Sequence, residues 1–284
     1  MKKHESNRYL SRRRFLFAGL GGAAVWSPAA ESDMKSVKIT PGKNKLEERQ
    51  SIFFELPALP GQIFHLVIPE LISDTEENPL PWGHASPDRW EIGENRAAYT
   101  LTEKNVIRCD AEVVFHDERI EARVKVTNLS DRTWRQSNAF TCLLFRKAPL
   151  FEDRTLVKTY VPVGEDWKPL AGLFKQASMK NGLTFMPVAG GPKMADLWVG
   201  TQITSHYPNE LAHGSICVVS HDGEWIAGMT APKPAYVFNN AGLPCIHADP
   251  LLGDVPPGES AEAGSVIHIF KGSLKDFAAR CTAD

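Results

Sequence analysis

Apolar and polar positions alternate along most of this chain with a period of two rather than 3.6. In the clearest run, Ile120, Ala122, Val124 and Val126 alternate with Glu121, Arg123, Lys125 and Thr127. That is the pattern of a strand with one buried and one wet face. It is expected to pair with residues 106–115 through a turn at 116–119. A second hairpin is expected where Cys217-Val218-Val219-Ser220 and Trp225-Ile226-Ala227-Gly228 flank His221-Asp222-Gly223-Glu224, because Asp-Gly favours a tight turn. Further strands are predicted over 52–56, 63–68, 97–101, 139–144, 155–161, 183–187, 197–203, 235–238 and 266–270. These suffice for an all-β fold, a large antiparallel two-sheet β-sandwich. Helical spacing is convincing only at the C-terminus. There Ser273 and Asp276 form a capping pair, and Leu274, Phe277, Ala278 and Cys281 fall on one stripe. This short helix is expected to sit on the sandwich edge as a lid.

One stretch carries more chemistry than the others: Leu243-Pro244-Cys245-Ile246-His247-Ala248-Asp249-Pro250. Pro244 removes a backbone donor, and Asp249, preceding a proline, is disfavoured in the helical region. The segment between is therefore extended. Side chains alternate across an extended backbone, so Cys245, His247 and Asp249 share one face and Ile246 and Ala248 the other. An imidazole and a carboxylate two residues apart suit one metal ion or one pair of sugar hydroxyls. The structural alternative has Asp249 capping a turn, His247 bonding a backbone carbonyl and Cys245 packing as a small hydrophobe.

The N-terminus reads as an address. Ser11-Arg12-Arg13-Arg14-Phe15-Leu16 precedes an apolar run to Val25 and the small-residue context Ser27-Pro28-Ala29-Ala30. The layout resembles a twin-arginine export signal and is too short for a permanent membrane anchor. The resemblance implies a periplasmic or secreted protein with no stable anchor after cleavage. Residues 1–30 are thus expected to be a signal peptide, 31–50 a flexible, Lys/Glu-rich arm, and 51–284 a single β-sandwich domain. The whole chain carries 32 basic and 34 acidic residues; removing 1–29 takes six of the former and one of the latter, leaving 26 against 33 and a net charge of −7. Such acidity excludes a nucleic-acid surface. Five cysteines without a Cys-x-x-Cys pair exclude a zinc ribbon and a thioredoxin-type site. Up to two disulfides are compatible with that count.

A strand ending in Thr127-Asn128-Leu129-Ser130-Asp131, together with the late turn Pro256-Pro257-Gly258-Glu259, resembles the galactose-mutarotase-like β-supersandwiches. Ser205-His206-Tyr207-Pro208-Asn209 is similar to the His-x-Tyr-x-Asn stretch of the mutarotases. The resemblance implies the sandwich fold and a carbohydrate or other small-molecule partner. The acidic catalytic segment of the mutarotases has no clear counterpart here, so their activity is not implied.

A second constellation lies in the long loop 69–96, where Trp82 and Trp90 bracket His84, Asp88 and Arg89. Flat aromatic faces beside polar groups are what a sugar ring requires, although the same loop would serve as an apolar plug. The leading expectation is an exported protein that binds or modifies a carbohydrate. His84, His247 and Asp249 would be its acid/base groups, and Trp82, Trp90, Arg89, Asn240, His206 and His213 its substrate contacts. The first alternative is a metal-dependent periplasmic enzyme on a non-sugar substrate, with His84, His247 and Asp249 as ligands. The second is a noncatalytic module that contacts other envelope proteins. Gly-x-Ser-x-Gly is absent, as is a P-loop in the folded body.

Overall fold

The computed structural model describes residues 37–43, 50–81, 89–174, 183–193, 196–197 and 207–281. Among these, two antiparallel sheets of nine strands each pack face to face. The first sheet runs β1 (Lys38–Pro41), β2 (Ser51–Glu55), β3 (Ile63–Val67), β10 (Cys142–Lys147), β17 (Cys245–Val255), β16 (Pro234–Asn240) and β13 (Leu183–Met186). Alongside the far half of β17 lies β9 (Trp134–Ala139), which in turn pairs with β4 (Ile72–Ser73). The second sheet runs β12 (Asp166–Pro169), β11 (Thr159–Val163), β14 (Ser215–Val219), β15 (Trp225–Thr230), β18 (Ser260–Lys271), β8 (Arg119–Asn128), β7 (Ile107–Phe115), β6 (Arg96–Glu103) and β5 (Glu91–Ile92).

The core between the sheets is built by the period-two pattern. Ile120, Ala122, Val124 and Val126 of β8 meet Ile52, Phe54, Phe64, Leu66 and Ile246 of the first sheet in one apolar cluster. Both expected hairpins form, Ile107–Phe115 with Arg119–Asn128 and Ser215–Val219 with Trp225–Thr230, the latter turning at Gly223 with φ +79°. Asn128 ends β8 by accepting the Ser130 N–H. Its amide group donates to the Val255 and Arg132 carbonyls, which ties the second sheet to the end of β17 in the first.

Four expectations need correction. Lys38–Pro41 was assigned to the solvated arm but forms β1 against β2, register Lys38 to Glu55. The outer backbone groups of β2 need partners, and Val37 and Ile39 pack on the core. The single strand predicted over 139–144 is two, β9 and β10, broken at Phe140–Thr141. The N–H and C=O of Phe140 pair instead with Leu71 and Glu70. The strand predicted from residue 155 starts only at Thr159. The Asp153 carboxylate holds the preceding bend, accepting from Thr155 Oγ1, Lys158 N–H and Thr159 Oγ1. The C-terminal helix, Leu274–Cys281, is capped by Ser273 and Asp276 as expected, but it lies on the outer face of the second sheet and not its edge. Its Phe277 packs with Cys217, Ile226 and Phe270. Gly228 makes the socket: a Cβ there would lie 2.4 Å from the Phe277 ring.

Filling that socket is therefore costly. Gly228→Val is expected to lower unfolding free energy by about 1–3 kcal/mol through overpacking. Urea denaturation followed by tryptophan fluorescence reads this as a lower midpoint with an unchanged slope.

Candidate functional site

The outer face of the first sheet, turned away from the core, carries the reactive residues. Residues directly opposite in an antiparallel pair share a face, so the register defines two rows across it. One row runs Phe53, His65, Leu144, Cys245. The next runs Ser51, Val67, Cys142, His247, Phe238, Phe185. Asp249 follows on β17, opposite Tyr236. The expected one-faced set Cys245, His247, Asp249 is thus present in the interior of the sheet, and Cys142 stands directly opposite His247.

The distances form a chain centred on one imidazole. His247 Nε2 is 3.5 Å from Cys245 Sγ and 3.8 Å from Glu70 Oε2, while Nδ1 is 3.4 Å from Asp249 Oδ1. Asp249 Oδ1 also accepts the Thr141 backbone N–H at 2.8 Å. The break between β9 and β10 frees that N–H, and its pairing with Glu70 and Leu71 swings Glu70 over His247. His247 and Asp249 are fully buried and Cys142 and Cys245 nearly so, whereas the Glu70 side chain keeps 19% of its surface exposed. Phe238 and Phe140 wall the imidazole edge-on at 4.5 and 6.1 Å.

Burial opposes charge on every member, and the neighbours overrule it at two of them. For His247 the Asp249 and Cys245 charges outweigh desolvation, so the imidazole holds its proton well above the usual histidine range. Burial raises the Cys245 thiol, but a hydrogen bond from Cys142 and the His247 charge outweigh it, and the thiol is drawn below the usual cysteine range. Asp249 moves the other way, raised by burial. The shifts favour charge separation between the Cys245 thiol and the His247 imidazole, with the Asp249 carboxyl group behind the ring. Nucleophile, base and orienting group stand in that order in sites of nucleophilic catalysis. Cys142, Cys245 and His247 also bring three soft donor atoms within 4.8 Å of one another, a set able to hold a metal ion.

Of the other expected site residues, the described ones fall elsewhere. Trp82, His84 and His206 lie outside the described residues. Trp90 packs edge-on to Tyr99 of the second sheet at 4.7 Å, and Arg89 lines a groove on that sheet's outer face with Asp110, Glu112 and Arg123. Asn240 makes a turn, its side chain accepting the Gly242 and Leu243 N–H groups. His213 contacts Ser215 Oγ at 2.9 Å and the Trp167 ring at 5.6 Å, with burial lowering its pKa. Of these described residues, none touches His247. Sequence reasoning passed over Cys142 and did not select Glu70, because both reach the imidazole only through pairings that local pattern leaves open. It also left Phe53 without a role and read His65 as a strand histidine in the core or at an edge. Their rings stack at 4.3 Å, with Lys147 Nζ 4.5 Å from the Phe53 centroid, beside a pocket of about 240 Å³ that Lys38, Lys43 and Glu55 also line.

Fold and site together define an all-β two-sheet sandwich with a buried Cys/His/Asp array on one outer face. No protein-family model matches the chain, and neither does any curated protein sequence. Among solved structures the chain is similar to the Slr1438 protein of Synechocystis sp. PCC 6803, at 8% identity and TM-score 0.44 over 87% of this chain and 100% of that one. It is similar to a galactose mutarotase related enzyme of Lactobacillus acidophilus, at 9% and 0.40 over 84% and 96%. It is also similar to the α-N-acetylgalactosaminidase NagBb of Bifidobacterium bifidum, at 9% and 0.48 over 90% of this chain and 39% of that one. At these values the likeness transfers neither activity nor residue roles.

The buried pair His247–Asp249 has a stability consequence. His247→Ala strands Asp249 without its facing charge and is expected to cost about 3–5 kcal/mol at neutral pH. Adding Asp249→Leu is expected to recover more than half of that loss in urea denaturation. A double variant no more stable than the single one would mean that the two groups are not coupled.

Proposed function

We propose that the chain is an exported protein that binds or modifies a carbohydrate on the outer face of its first sheet. The row Phe53, His65, Leu144, Cys245 carries this reading, since it joins a partly exposed aromatic shelf to the buried reactive cluster along one face of the sheet. Three strand spacings separate Phe53 from Cys245, roughly 14 Å, a span suited to two linked sugar rings. Stacked rings at the shelf suit the C–H face of a sugar, and the imidazole–carboxylate pair suits its hydroxyls. Lys38, Lys43 and Lys147 outnumber Glu55 around the shelf, which favours an acidic sugar, a uronate or a sulfated residue, over a neutral one. His247, backed by Asp249 and with Glu70 above it, is the acid/base group of the reading. Export rests on the N-terminal Ser-Arg-Arg motif and on no structural feature.

Binding to an array of neutral and acidic glycans, followed by calorimetry on the best ligand, tests it. Phe53→Ala is expected to weaken binding by about 1 kcal/mol, roughly fivefold. Its effect on turnover should lie in KM, whereas Glu70→Gln should act on kcat. A wild-type chain that binds no glycan removes the carbohydrate reading.

A further inference from the structure

A different role for the same cluster follows from its two sulfurs. Cys142 Sγ, Cys245 Sγ and a His247 ring nitrogen lie mutually within 4.8 Å, and the Cys245 Sγ to His247 Nε2 separation is 3.5 Å. Tetrahedral zinc with bonds of about 2.3 Å to sulfur and 2.05 Å to nitrogen sets sulfur–nitrogen separations of about 3.6 Å and sulfur–sulfur separations of about 3.8 Å. The Cys245–His247 separation matches the sulfur–nitrogen value, the other two separations lie within 4.8 Å, and no disulfide joins the sulfurs. Cross-strand pairing of Cys142 with His247 and the two-residue step from Cys245 to His247 hold all three on one rigid patch of sheet.

Two further observations point to an ion. Metal-bound histidines characteristically present their second nitrogen to a carboxylate that fixes the ring. Here Asp249 faces Nδ1 at 3.4 Å and is itself held by the Thr141 N–H, leaving Nε2 directed at the sulfurs. Charge is the second: two thiolates cancel a divalent cation, so an occupied site adds little net charge to a fully buried position. Glu70 lies beside the three donors, its Oε2 3.8 Å from Nε2.

We propose that Cys142, Cys245 and His247 bind one thiophilic divalent ion, zinc, with Asp249 orienting the imidazole and the fourth position turned toward Glu70. With the ion in place Nε2 is a ligand, and proton transfer to a substrate falls to Glu70. The proposal does not depend on a sugar, because loading is read without one. A chain that holds zinc but binds no glycan keeps this site and loses the carbohydrate reading; a chain that binds glycan without metal does the reverse.

The test uses the full chain, purified without an affinity tag after growth with added zinc. Elemental analysis is expected to give close to one zinc per chain. After chelation, cobalt(II) should restore a thiolate-to-metal charge-transfer band. Cys142→Ser should abolish that band, while Cys109→Ser, in the core between the sheets, should leave it intact. Asp249→Asn should weaken zinc binding 10- to 100-fold without changing the ligand spectrum. Should Cys142→Ser fail to fold, the wild-type chain still decides: its melting temperature must rise with free zinc after chelation. Substoichiometric zinc, a cobalt spectrum unchanged in a folded Cys142→Ser, or a melting temperature indifferent to zinc would each overturn the site.

Discussion

The pairing of Cys142 with His247 across β10 and β17 is the constraint on which the rest depends. Side chains alternate along β17, so a slip of one residue would turn Ile246 and Ala248 out of the core. It would drive Cys245, His247 and Asp249 into the hydrocarbon between the sheets. Burying those groups without partners costs several kcal/mol each. The hydrophobic register that folds the sandwich therefore also places the chemistry, and neither can shift without the other.

That coupling explains what was legible in the sequence. Alternation revealed the sheets, and the prolines flanking 245–249 revealed which side chains share a face, because both are local properties of one strand. The break at Phe140–Thr141 was not legible, since a largely apolar run, with Thr141 its one polar member, hides a change of pairing partner. The Thr141 N–H that holds Asp249 and the carboxylate of Glu70 over the ring both follow from that break. Cys142 was visible as a cysteine but not as a neighbour of His247, for nothing local fixes which strand lies beside β10. Trp90 and Arg89 illustrate a related limit of local pattern. Proximity in sequence groups them with Trp82 and His84, but only the pairing of β5 with β6 sets them on the second sheet, apart from His247.

The two outer faces are put to different uses. On the second sheet Arg96 pairs with Glu112 and Arg108 with Asp110 in partly exposed ion pairs, interactions worth little in water, and the C-terminal helix packs over Cys217, Ile226 and Phe270. On the first sheet the outer face is itself a second apolar cluster, with Phe140, Phe185, Tyr236 and Phe238 around the histidine. Polar groups set in such a layer feel one another strongly because little water screens them. The opposed shifts of Cys245 and His247 are the result.

No disulfide joins any of the five cysteines, and four of them are buried. The native arrangement thus protects its thiols by enclosure and not by disulfide formation. Enclosure works only for a polypeptide that has already collapsed. A nascent strand meeting an oxidant would offer all five sulfurs to arbitrary crosslinks, whereas a finished sandwich offers almost none. The order in which folding and oxidant are encountered thereby decides whether the histidine ever acquires its sulfur neighbours.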